Sequence, residues 1–127
     1  MTSDTPTRGQ LERSLSQKVQ ALYREQLGQQ PSRVSCQLCG EKFIIILEDS
    51  LTQPEQILAN EGQEDLAEEI RTNLDDFMQP QLKNLVEEVA GVHVTALLSD
   101  VTLESGLTGI IAVLETLPTV RSAHTDS

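Results

Sequence analysis

The stretch that decides the fold is QEDLAEEIRTNLDDFMQPQLKNLVEEV, residues 63–89. Its apolar residues are Leu66, Ile70, Leu74, Phe77, Met78, Leu82, Leu85, Val86 and Val89. Gaps of three and four between them predict a helix with an apolar stripe on one side and acids on the other. No other segment is long enough to cover a sheet. Pro80 lies inside the pattern, and an interior proline breaks or kinks a helix at a cost of about 3 kcal/mol. The stripe continues past it, so the expectation is one bent helix rather than two.

Working outward, residues 54–59 read as a short helix opened by Thr52-Gln53-Pro54-Glu55. That is a capping box, in which the threonine hydroxyl takes an N3 amide and the glutamate reaches back. Proline in a first turn sacrifices no hydrogen bond. The segment 60–62, ending in Gly62, closes this helix before the long one begins. On the far side, Gly91 ends the long helix, and residues 92–101 and 107–114 read as strands. They join around Glu104, Ser105 and Gly106, where the glycine can take positive φ.

Toward the N-terminus, Leu11, Leu15, Val19, Leu22, Tyr23 and Leu27 recur at helical spacing from Arg8. Gly28 then stands where a C-cap glycine belongs, and Pro31 forbids continuation. Residues 33–38 alternate Val34, Cys36 and Leu38 with polar neighbours, the pattern of a half-buried strand. After Cys39 and Gly40 comes KFIIILED, apolar on both faces and β-branched in its middle, which predicts a central strand. The elements order themselves α-β-β-α-β-β, a single α+β domain over residues 8–117. The expected architecture is a four-stranded, mostly antiparallel sheet, covered on one face by the N-terminal helix and the long bent helix. Residues 1–7 and 118–127 are polar and read as a disordered and a flexible tail.

The chain has 127 residues, enough for one modest core. That core is necessarily aliphatic, because Tyr23, Phe43 and Phe77 are its only aromatics. No apolar run approaches the roughly 20 residues of a membrane helix, and MTSDTPTRGQ has no signal-peptide core. A cytoplasmic location without direct membrane insertion is expected. The net charge of −11 opposes binding to nucleic acid or to anionic lipid. Between Phe43 and Ala90 the only bases are Arg71 and Lys83, against a dozen acids. Such a face keeps a protein dissolved; it also suits docking onto a basic partner, such as the positive cytoplasmic loops of a membrane protein.

The pieces LYREQLGQQPSRVSCQL (22–38), LTQPEQ (51–56), EEIRTNLDDFMQPQLKNLVEEVAGVHV (68–94) and LLSDVTLESGLTGIIAVLE (97–115), in this order, resemble the MpsC-type domain family. The family name refers to a Na+-translocating, membrane-potential-generating system, whose other members resemble proteins of inorganic carbon uptake. The resemblance implies a small accessory protein near a membrane transport system. Where such a chain is expected to carry a glycine between strand and helix, this one has Asp49 and Ser50.

Candidate sites are few. Cys36 and Cys39 form a lone CxxC at a hairpin, without the helix N-terminus that activates a redox pair. They read first as core and turn cysteines. The alternatives are a metal site completed by another subunit, with His93 or His124, and a redox pair. Arg71 reads as a helix ion-pair partner of Asp75 and Glu68, or as a ligand-binding residue with Asp100 or an anion. Ser99, Asp100 and Thr102 read as turn-capping groups, with Ser99 and Asp100 the candidates for ligand binding beside Arg71. The acids Glu64, Asp65, Glu68, Glu69, Asp75 and Asp76 read as a solvated face, lacking a calcium loop's geometry. No catalytic residue and no cofactor is expected. The leading expectation is a homodimeric, non-enzymatic interaction module; the competing one is a sensor of a small anion or metal.

Overall fold

The structure, a computed structural model, describes residues 5–28 and 30–121. Its elements are α1 (Arg8–Leu27), β1 (Arg33–Cys39), β2 (Lys42–Glu48), α2 (Gln53–Asn60), α3 (Glu64–Ala90), β3 (Val94–Thr102) and β4 (Leu107–Leu114). This is the expected order, with boundaries within two residues of those read from the sequence.

The local devices also fall where the residues call for them. Thr7 and Gln10 form a capping box on α1, and Thr52 and Glu55 form one on α2. The long helices α1 and α3 end on Gly28 and Gly91, both left-handed, with φ of 68° and 74°. Between β2 and α2 the chain passes through Asp49 at φ 54°, the only described non-glycine residue with positive φ. Aspartate is among the few side chains that tolerate this region. Its Oδ2 is fixed by the Ser32 hydroxyl at 2.5 Å. The turn therefore keeps a glycine's geometry without a glycine.

The sheet runs β1-β2-β4-β3, and all three pairings are antiparallel. β2 is a central strand, as its two apolar faces require. Phe43, Ile45 and Leu47 point toward the helices and are fully buried, together with Ile110 and Ala112 from β4. Against them pack Leu11, Leu15, Val19 and Tyr23 of α1 and Met78, Leu82, Val86 and Ala90 of α3. Each fully buried aliphatic or aromatic side chain here contributes about 1.5–3 kcal/mol.

α3 is one helix, continuous through Pro80. The apolar stripe read from its sequence, however, is not one surface. From Met78 onward its residues join the core, while Leu66 and Phe77 are 44% and 51% exposed. At 100° per residue, Leu66, Ile70, Leu74 and Phe77 cluster on one side of the cylinder. The seam of Ala67, Arg71, Met78, Leu82 and Val86 lies about a quarter turn away. Only the second half of α3 crosses the core; its first half packs with α2 through the same seam, at Ala67 and Arg71, which leaves Leu66 and Phe77 outside.

The described parts of both termini meet. The Arg121 amide donates to the Pro6 carbonyl at 2.8 Å, and Pro118 is buried. The rest of the expected tails, including His124, lies outside the described residues.

Candidate functional site

α2 and α3 form a helical hairpin whose buried polar contact is an ion pair. Glu55 is fully buried and Arg71 is 3% exposed. Arg71 donates from Nε to Glu55 Oε2 and from Nη2 to Glu55 Oε1, each at 2.7 Å. This is the parallel two-bond geometry in which guanidinium and carboxylate bind most strongly. Arg71 Nη1 reaches Asp75 Oδ1 at 3.3 Å, and Nη2 also reaches the Ser50 carbonyl at 3.3 Å.

Glu55 Oε1 accepts as well from the Thr52 amide and hydroxyl, both at 2.9 Å. The same carboxylate thus caps α2 and holds α3. Ser50 extends the network to the β3–β4 turn. Its amide and hydroxyl both donate to the Gly106 carbonyl at 3.0 Å, and its Oγ meets Thr108 Oγ1 at 2.7 Å.

Electrostatics follow from this burial. For Arg71, desolvation alone would lower the pKa, but the hydrogen bonds and charge of Glu55, with Asp75 behind, raise it above the ordinary value. Asp75 is raised by desolvation, which outweighs the attraction of Arg71. Burial pushes the Tyr23 phenol up to about 12, with Arg71 opposing and Asp75 and Glu55 adding to the rise. A charge pair this well buried costs desolvation that only good geometry offsets, and here the carboxylate's partners supply that geometry.

Two of the three ligand candidates, Arg71 and Asp100, border one open groove of about 590 Å³ between α3 and the β3–β4 hairpin. Ser99 is not on its wall. The other ionisable groups there are Glu64, Glu68, Asp75 and Glu104. Arg71 already uses four of its five donors on protein acceptors, and acids surround it, so the groove opposes an anion. Asp100 accepts from the Val101 amide at 2.9 Å, the backbone-capping role its residue type favours. Of the expected partners of Arg71, Asp75 is one; no contact to Glu68 forms, and Glu55 dominates.

The CxxC does not converge. Three residues apart in a strand, Cys36 and Cys39 point to opposite faces of the sheet. Cys36 is half-buried and its thiol is pushed up to about 11, chiefly by desolvation; Cys39 is exposed. Among the described residues, no group of three or more His, Cys, Asp or Glu side chains is placed to hold a metal ion. His93 is exposed, with Nδ1 at 3.6 Å from Glu87 Oε2.

Glu55 was the residue that sequence reasoning placed only as a helix cap. The signal for its second role was present: the short link through Gly62 folds α2 back on α3, opposite a lone arginine on an acidic helix.

Fold and site together define a two-layer α+β domain locked by a buried ion pair, with no described helix long and apolar enough to cross a membrane. The chain belongs to the MpsC family, described as Na+-translocating membrane potential-generating system (MpsC), whose model matches residues 7–116. Comparisons with curated proteins and with solved structures return no match.

Proposed function

We propose that this chain is a small non-enzymatic accessory or regulatory module, acting as a homodimer on the cytoplasmic side of a membrane ion or inorganic-carbon transport system. The family description supports the association with a Na+-translocating, potential-generating system. The observation that carries the docking role is the outer face of α3. There Leu66 and Phe77 stand exposed. Asp65, Glu69 and Asp76 flank them on the same side of the helix. An apolar stripe with an acidic border suits a basic, amphipathic segment of a partner.

The test is affinity capture from detergent-extracted membranes of a cell that encodes the chain. The wild-type chain is expected to retain a subunit of a transport system, and Glu69→Lys/Asp76→Lys to lose it with an unchanged melting temperature. Equal capture by both chains would refute docking through this face. The second reading, a small-ligand sensor, would use the groove bordered by Arg71 and Asp100, whose acids oppose an anion; thermal stabilisation by a neutral or cationic compound would reveal it.

A further inference from the structure

Among the described residues, nothing covers the sheet face turned away from the helices. Strand alternation places Ile44, Ile46, Ile111 and Leu98 at its centre. These residues border a shallow groove of about 470 Å³, with Gly109 among them. Leu98 is 57% exposed, Ile111 39% and Ile46 38%. Gly109 leaves a hollow between Ile46 and Asp100, its neighbours across the sheet.

We infer that this face binds a second copy of the chain, about a two-fold axis perpendicular to the strands, so that Lys42 of each protomer meets Glu48 of the other. This deepens the homodimer reading above, on which it rests.

Charge selects the occupant. The whole chain carries −11, so two copies repel across most of their surfaces. Along the strands, the charged residues of the open face are Arg33, Lys42, Glu48 and Asp100, two of each sign. It is the neutral face of an acidic molecule, and its centre is apolar.

Symmetry selects the register. In a two-fold interface, residue i meets j and j meets i. Cross-strand rows on the open face follow the pairs Ile46↔Gly109 and Ile44↔Ile111. An axis perpendicular to the strands, between these rows, lays β2 antiparallel over β2. Ile44 then faces Ile46, Ile111 faces the hollow at Gly109, and Lys42 faces Glu48 twice. Neither Lys42 nor Glu48 has an ion-pair partner in its own chain among the described residues. An axis parallel to the strands would instead set Lys42 over Val113 and Glu48 over Leu107, burying both charges against aliphatic side chains. The perpendicular axis pairs every β2 charge and leaves Asp100, on the edge strand β3, over Leu98.

Area sets the strength. Four strands about 4.8 Å apart and seven residues at about 3.4 Å each give a footprint of roughly 450 Å² per protomer. Two such faces bury roughly 900 Å², below the standard specific interface and in the range of weak, reversible ones.

Sedimentation equilibrium across concentrations tests this. The wild-type chain is expected to be a reversible dimer at tens of micromolar, about the concentration at which a weak interface is populated. Ile111→Asp should be a monomer throughout. Lys42→Glu, an exposed change that leaves the core intact, should weaken the dimer at least about tenfold, and Lys42→Glu/Glu48→Lys should restore it to within about threefold. Melting curves of each monomer serve as the folding control. A wild-type monomer at hundreds of micromolar would remove this face and the homodimer reading together, leaving the partner-docking reading of α3 untouched. A dimer that survives Ile111→Asp would remove this face alone. A Lys42→Glu defect that the charge swap fails to repair would refute the perpendicular axis.

Discussion

Arg71 and Glu55, sixteen positions apart in sequence, meet through two hydrogen bonds of 2.7 Å, and both are sealed from water. That pair binds α2 to α3, and through Ser50 it ties both to the β3–β4 turn. The most polar buried point of the molecule is thus a clasp.

The clasp predicts a large and asymmetric response to substitution. Arg71→Met strands a buried carboxylate and should cost about 3–5 kcal/mol in urea unfolding. Arg71→Lys cannot reproduce the two parallel bonds and should recover only part of that loss. Glu55→Gln keeps the capping box, since glutamine serves at that position, yet leaves the guanidinium charge unbalanced. Glu55→Gln/Arg71→Met should therefore be more stable than the sum of its parts, by a coupling of about 2 kcal/mol or more.

Asp49 predicts a backbone effect separable from side-chain contacts. Its φ of 54° penalises a Cβ, so Asp49→Ala should destabilise the fold by about 1–2 kcal/mol. Asp49→Gly loses the Ser32 bond but relieves the backbone, and should stay within about 1 kcal/mol of wild type. Thermal melting of the two variants checks the ordering.

The two thiols should separate kinetically. With Cys36 pushed up to about 11 and half-buried, its thiolate fraction at neutral pH is negligible. Cys39 is exposed. Alkylation at pH near 8 followed by peptide mass spectrometry should label Cys39 at least about tenfold faster.

Acid titration should show two opposed contributions. The Val94 amide, donating at 2.8 Å, holds the Glu87 carboxyl below its ordinary 4.5. Its stabilisation is present above that value and lost as pH falls through the lower folded one. Asp75, raised above 3.8 chiefly by desolvation, keeps its proton longer in the folded state, so its contribution falls as pH rises through that interval. Glu87→Gln should flatten the acid limb of the stability curve, whereas Asp75→Asn should remove the loss on the rising side. Urea midpoints measured from about pH 3 to pH 6 distinguish the two.

Much of this fold was legible because its punctuation is local. Gly28, Gly91, Gly106 and the Thr52–Glu55 box each act within one turn of chain, and their positions follow from residue type alone. What could not be read was which side of α3 faces which neighbour. Leu66 and Phe77 belong to the same run of three- and four-residue gaps as Leu82 and Val86, but that run drifts around the helix, and the first pair ends on a side that stays in water. The Arg71–Glu55 contact was half legible: the lone arginine and the short link through Gly62 stood out, but the pairing depends on how two helices fold back on each other. The CxxC, conspicuous in sequence, dissolves once strand alternation sends its thiols to opposite faces.

Arg71 builds the fold and function resides on outer faces, so the most direct check is a thermal-shift titration of the wild-type chain with Na+, bicarbonate, sulfate and a nucleotide. A ligand at a hundred times its Kd adds about 2.7 kcal/mol, roughly 10 °C for a domain of this size. The prediction is a shift below about 1 °C for every compound at millimolar concentration. A saturable rise of several degrees, abolished by Thr72→Glu in the groove beside Arg71, would contradict it.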